Sequence, residues 1–352
     1  MKNKIYTIQI LRGVAALLVV LYHILMTEDK FSGSNKLLPD FFEIGKTGVD
    51  LFFVISGFIL AVITYDTWGS GNSFKFILKR FSRIYPTYWF YLLIALSVYL
   101  VQPGLVYSSQ HSEFNFFTSL FLIPNKKPPL ILAAWTLVYE VYFYVLFSVV
   151  ISFKKKYVLV TFTLWLFLLV GSNLFFSLDK SDYFLYFITD PYQVEFILGV
   201  FCAVLYKSHK IKFPNILYSL LCLISLCLIP YFYYTVYKQI LPQSLIFGLL
   251  YSTIVFTLVS IERKSNLQYP KIFITIGDSS YSMYLSNMMI LNVLGRLWYN
   301  FMNHPDSLLD NWALLFISIV AITIWSYLSA RFIERPSYNY LTSKVDCIFK
   351  TV

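Results

Sequence analysis

Arg12 and His23 stand in one apolar run, residues 6–26, with ten residues between them. On a helix, eleven steps of about 100° return to nearly the same face, roughly 16 Å further along the axis. A guanidinium is a fixed cation. An imidazole, with an unperturbed pKa of ~6.5, can take and return a proton near neutrality. Ionisable groups within a membrane span are costly, and their default reading is that they line a functional cavity. The pair therefore suits base chemistry with an anion held nearby. In the plainer alternative, Arg12 snorkels to the near interface and His23 caps the far end.

Other groups share this depth. Arg80 and Arg83 lie three residues apart beside Lys79. If helical, they share a face and form a fork suited to phosphate oxygens; topology-setting charge or lipid head-group contact is the alternative. Pro86 reads as the start of a span. Glu140, about nine residues into the fourth apolar run, is expected to face the interior, neutral or paired with Arg12 or a tyrosine hydroxyl. Glu195 sits four residues before Gly199. Asp50, near His23 in depth, either orients the imidazole or complements a helix N-terminus. The sets Tyr85, Tyr88, Trp89, Tyr91 and Trp135, Tyr139, Tyr142, Tyr144 either form interface belts or line a cavity for sugar or cofactor rings. Cys202, Cys222, Cys227 and Cys347 have no metal or redox spacing, so no metal site is expected.

The elements that must position these groups are membrane helices. Of 352 residues, 58% are hydrophobic, 20% aromatic and only 13% charged; the mean hydropathy is +0.66. Soluble domains do not have this composition. Ten spans are expected, near 6–26, 45–64, 86–102, 131–152, 157–177, 191–207, 213–232, 241–260, 272–298 and 312–331. Most of the 28 Lys and Arg residues then fall on one side: Lys2 and Lys4, the 75–83 cluster, 154–156, 207–212, 263–271 and 331–350. Lys30, Lys36, Lys46, Lys126, Lys127, Lys180 and Lys238 fall on the other. The alternation places both termini in the cytoplasm. It also disposes of a nucleic-acid reading of the net charge of +10. The fold class is thus all-α and polytopic, with a transmembrane domain over 1–340 and a cytoplasmic tail over 341–352. The first run lacks a cleavage site and reads as a retained helix. The longest outer loop, about 103–130, contains His111 and is expected to be functional or ordered by packing. No internal repeat is evident, which weighs against an inverted-repeat transporter.

Several motifs recur in order along the chain. They are Leu11-Arg12-Gly13 to Tyr22-His23; Gly48-Val49-Asp50-Leu51-Phe52-Phe53 to Gly57-Phe58; Arg80-x-x-Arg83-Ile84-x-Pro86; Trp135-Thr136-Leu137 to Glu140; Glu195 to Gly199; Gly277-Asp278-Ser279-Ser280-Tyr281 to Leu285; and Glu334-Arg335-Pro336. Together they resemble the membrane proteins of acyltransferase family three. The resemblance implies O-acylation, usually acetylation, of a cell-surface glycan or lipid-linked sugar, with acetyl-CoA or another acyl-CoA as donor, in the bacterial cytoplasmic membrane. It most resembles the branch that modifies exopolysaccharide, capsule or O-antigen. The family's Tyr-Leu-x-His reads Tyr284-Leu285-Ser286-Asn287 here. An Asn takes up no proton near neutral pH, which turns the base assignment to His23. The expected roles are His23, Arg12 and Asp50 in catalysis; Arg80, Arg83 and Lys79 on the donor phosphates; and Glu140, Tyr139, Trp135, Glu195 and Asn287 at the substrate. The alternative is a transporter or flippase for a lipid-linked sugar or anion. The acceptor hydroxyl, acyl length and oligomeric state are left open.

Overall fold

A computed structural model describes residues 4–32, 37–106, 114–175, 182–236, 240–265, 267–302 and 307–349. Lys2, Lys36, His111, Lys180, Lys238 and Lys350, used in the charge and loop readings above, lie outside them. The described residues form helices: α1 Tyr6–Phe31, α2 Gly48–Thr64, α3 Ser73–Val101, α4 Phe116–Phe121, α5 Trp135–Ser152, α6 Lys155–Phe175, α7 Tyr183–Ile188, α8 Tyr192–Ser208, α9 Asn215–Val236, α10 Ile240–Lys264, α11 Lys271–Asp278, α12 Ser280–Met302, α13 Leu308–Ser329 and α14 Arg335–Ile348. Among these residues, nine helical segments are long and apolar enough to cross a membrane. The protein is an all-α, polytopic integral membrane protein. The ninth expected span, 272–298, is two helices, α11 and α12. α12 has 23 residues, enough for a bilayer. It is more polar because it carries the fully buried Ser282, Ser286 and Asn287 into the bundle.

α1 stands between two apolar clusters. Ala15 and Val19 belong to the larger, with α2, α3, α5, α8 and α10. Ala16, Val20 and Ile24 belong to the smaller, with α12 and α13. The N-terminus of α1 is closed in trans: the Glu262 carboxylate, near the end of α10, accepts from the backbone N–H of Tyr6 and of Thr7, each at 2.8 Å. This satisfies two of the orphan donors that every helix start leaves. At the other end Glu28, placed outside the membrane by the hydropathy pattern, is fully buried. It accepts from Leu37 N and Leu38 N, each at 2.9 Å, and fixes the turn into residues 40–47.

α2 and α8 approach to backbone contact. A Cβ at Gly57 would strike the Phe196 carbonyl, and one at Gly199 the Val54 carbonyl. Two small residues facing each other let the backbones close, the usual device where lipid supplies no hydrophobic driving force. α6 is peripheral; it turns Phe167, Leu168 and Phe175 outward, the expected lipid face.

Two local outcomes differ from the sequence reading. α3 does not begin at Pro86. It runs 29 residues from Ser73, with Pro86 inside it. The basic stretch continues the helix, and the ring costs one intrahelical bond rather than marking a boundary. The end of α13 does not break either. A π-turn over Ala330–Glu334 leads directly into α14, which continues through residue 341, where the tail was expected to begin. Of the 103–130 loop, the described residues 114–130 fold back into the bundle and are ordered by packing, as expected. Tyr85, Tyr88 and Trp89, near the middle of α3, donate to the carbonyls of Phe121 (2.8 Å), Ser119 (2.5 Å) and Leu120 (3.0 Å). These aromatics tether the loop, and Tyr91 donates to Ser329 Oγ at 2.7 Å. They do not form a ring-binding cavity.

Candidate active site

A cavity of about 200 Å³ opens between α1, α2, α3, α5 and α12. Arg12, Arg80, Arg83 and Glu140 all line it, with Ser56, Tyr144, Tyr281 and Tyr284. Arg80 and Arg83 do share a face of α3. Arg83 Nη1 is 2.5 Å from Glu334 Oε1, and the other Glu334 oxygen accepts from Ser282 Oγ at 2.7 Å. The guanidinium lies 5.8 Å from the Tyr281 ring and 5.7 Å from that of Tyr338. Arg83 is thus clamped from two helices and two rings. The π-turn matters here: it inserts an extra residue into the turn that carries Glu334, and such bulges recur at functional sites. Arg80 is freer, with its guanidinium carbon 5.7 Å from the Phe76 ring and its Nε buried without a partner among the described residues. Arg12 has one long contact, Nη1 to Gln9 Oε1 at 3.5 Å.

Glu140 pairs with hydroxyls, not with Arg12. Tyr144 OH, one turn further along α5, and Ser56 Oγ (3.1 Å) both donate to its Oε1. Three guanidiniums therefore face two carboxylates, one of them already bound to Arg83. In a site of low dielectric that balance favours an anionic guest.

His23 is not among the residues lining this cavity. Its Nδ1 lies 2.6 Å from Asn287 Oδ1. The Asn287 amide donates to the carbonyls of Met283 (3.1 Å) and Tyr284 (2.8 Å). Both N–H bonds are spent, so the amide oxygen is fixed toward His23 and must accept. The imidazole then carries its hydrogen on Nδ1 and keeps the Nε2 lone pair free. Asn287 lies one turn from Tyr284, which does line the cavity. The Tyr284 hydroxyl accepts from Thr136 Oγ and donates to the Ala133 carbonyl, each at 2.8 Å. Phe52 meets it edge-on, with ring centroids 5.8 Å apart. These two rings line the cavity on the side of Asn287. Arg12 thus lines the cavity and His23 does not; His23 meets Asn287 of α12, about 16 Å further along α1.

The remaining expected residues lie elsewhere. Asp50 does not orient His23; it is buried against Glu195 and Gln243. Gly48 is the residue of this turn that faces α1, and Asp50, two positions on, points about 200° around the helix. Lys79 turns away from Arg80 and Arg83 to Asp346 on α14, at 2.8 Å, and Lys75 joins it at 2.8 Å. Trp135 and Tyr139 line a second cavity, on the opposite side of α5. Sequence reasoning did not assign a role to Glu334. An acid at the end of an apolar run is itself a signal of an interior partner.

A buried cationic cavity beside a single-tautomer imidazole, inside a membrane bundle, is the equipment of a membrane enzyme that transfers a group from an anionic donor. A family model described as an acyltransferase domain matches residues 5–331, and the chain belongs to acyltransferase family 3. It is therefore an O-acyltransferase. It is similar to the exopolysaccharide production protein ExoZ of Rhizobium meliloti (strain 1021), 28% identical over 272 residues, which cover 72% of this chain and 79% of that one. It is also similar to a protein of Staphylococcus aureus (strain COL) named "Putative O-acetyltransferase SACOL0978", 24% identical over 365 residues, 93% of this chain and 56% of that protein. No solved structure matches the chain significantly.

Proposed function

We propose that this protein acetylates a hydroxyl of a cell-surface or lipid-linked glycan, with cytoplasmic acetyl-CoA as donor, in the bacterial cytoplasmic membrane. Both termini lie in the cytoplasm, so that Arg80 and Arg83 stand at the inner mouth and His23 toward the outer face. The observation that carries this reading is the convergence of Arg12, Arg80 and Arg83 on one cavity.

Arg80 and Arg83 hold donor phosphate oxygens by charge-assisted bonds. Arg12 positions the thioester arm, and Glu140 with its two hydroxyl partners bounds the channel. Lys79 has no part in this, because Asp346 neutralises it. At the Tyr284 end, His23 Nε2 takes the proton of the acceptor hydroxyl as its oxygen attacks the thioester carbonyl. The C–S bond breaks, the ester remains on the sugar, and the proton ends on the departing thiolate, giving the free thiol. Asn287 keeps the imidazole in the competent tautomer throughout. Trp135 and Tyr139 serve the acceptor. Asp50 and Glu195 brace α2 against α8 beside it and perform no proton transfer with His23. α14, tied to α3 through Asp346, lies on the cytoplasmic side.

The test is His23→Ala in nanodiscs, supplied with labelled acetyl-CoA and glycan. Transfer is expected to fall by roughly 10²–10⁴-fold, the usual worth of a positioned base, while the protein remains folded. Transfer at the native rate refutes the assignment.

A further inference from the structure

The second cavity, of about 270 Å³, lies between α5, α7 and the folded-back segment 118–129. We propose that it is a subsite for an acidic sugar unit of the acceptor glycan; this rests on the O-acetyltransfer reading and adds the substrate class. Trp135 and Tyr139 form a corner, their rings 5.9 Å apart and at 88°, and Tyr183 adds a third aromatic wall. The Tyr139 hydroxyl donates to Asp190 Oδ2 at 2.8 Å, so that ring is fixed. Rigid aromatic faces with a few polar groups at the edge make a pocket for a ring with both apolar and hydroxylated surfaces. Lys126 and Lys127 line the same cavity and supply cations for a carboxylate.

The wall that carries the lysines is built rather than loose. Ser119, Leu120 and Phe121 are tied to α3 as described, Leu130 N donates to Ser119 Oγ at 3.1 Å, and Lys127 N donates to Asn125 Oδ1 at 2.9 Å. Tryptophan, tyrosine and lysine together also mark the lipid head-group level. The place of this segment argues otherwise. It is tied to α3 near mid-helix through the Ser119 and Leu120 carbonyls, and its two exposed lysines line the same cavity as the aromatic corner. The position relative to the donor fits too. Thr136, Leu137 and Glu140 face the donor cavity, whereas Trp135, Val138 and Tyr139 face this one. The two sites stand back to back, about one helix diameter or 10 Å apart, so a bound sugar unit can hold its neighbour near the reacting end.

The experiment uses the full chain in nanodiscs and de-O-acetylated surface glycan, with its lipid-linked precursors, from cells lacking this protein. Initial rates of label transfer from acetyl-CoA, and glycan binding without donor, are measured for the native protein and the double variant Lys126→Gln/Lys127→Gln. The variant is expected to raise the KM and Kd for glycan about fivefold, consistent with two exposed charge pairs, with kcat and the KM for acetyl-CoA unchanged. Carboxyl-reduced glycan should bring the native protein to the variant's values. Trp135→Ala should weaken both acidic and reduced glycan. An unchanged glycan Kd, a shift that persists with reduced glycan, or a shift seen only with anionic lipids overturns the subsite. Glycan binding by native protein that transfers no label overturns the donor reading and leaves the subsite standing.

Discussion

Replacing Asn287 by Leu tests the link between structure and chemistry most directly. The substitution keeps the branched shape and the number of heavy atoms and removes the acceptor 2.6 Å from His23 Nδ1. Both amide hydrogens of Asn287 go to carbonyls of its own helix, so their loss breaks no contact between helices. The imidazole then has two choices. It keeps its hydrogen on Nδ1, in a site with no acceptor, or moves it to Nε2 and loses the base. Leaving a buried donor unsatisfied costs about 1–3 kcal/mol. At 1.36 kcal/mol per decade, this corresponds to a roughly 5- to 150-fold loss of the competent form. Because Asn287 does not line the donor cavity, the loss should appear in kcat, with the KM for acetyl-CoA unchanged. The assay is initial-rate transfer of labelled acetyl to glycan at saturating acceptor. Asn287→His, which restores an acceptor, should recover most of the rate. Native kcat in the Leu variant, or a defect confined to donor KM, would refute the tautomer argument.

Arg80→Gln should raise the KM for acetyl-CoA by roughly 10- to 100-fold, the worth of a charge-assisted bond of about 1.5–3 kcal/mol, and donor titration of initial rates reads it. Gly199→Ala places a methyl group against the Val54 carbonyl; the overpacking should cost about 1–3 kcal/mol, seen as a lower melting temperature in detergent. Glu334→Gln leaves a partner for Ser282 but strips Arg83 of its counter-charge; a loss of about 2 kcal/mol or more in stability, accompanied by a higher donor KM, is expected from melting and kinetics together. Tyr88→Phe removes the bond to the Ser119 carbonyl and should expose segment 116–131 to protease, at a cost of about 1 kcal/mol.

Hydropathy made the number and rough limits of the helices legible, and helical spacing put Arg12 and His23 on one face. The same spacing paired Arg80 with Arg83. What failed was azimuth between helices. Asp50 and His23 agree in depth, yet Gly48 turns to α1 and Asp50 away from it. Lys79 is adjacent to Arg80 in sequence, but one residue is 100° on a helix, enough to hand it to Asp346. Trp135 and Glu140 come from one short motif and line different cavities because they occupy opposite sides of α5. The π-turn at Ala330–Glu334 leaves no periodic signature, so the partner of Arg83 was legible only once the helices were packed.

The three aromatic donors of α3 have a bearing on how the chain is assembled. Carbonyls of a helix's last turn, left without intrahelical partners, are tolerated at membrane depth only where protein satisfies them. Residues 119–121 leave the ribosome after Tyr85, Tyr88 and Trp89, so their partners are synthesised first. α3 can thus act as a template on which the later segment settles, and the vectorial order of translation becomes part of what makes this buried turn attainable. A rearranged gene encoding α4 and α5 ahead of α3 would deprive the nascent turn of that template, even though every mature contact could still be drawn.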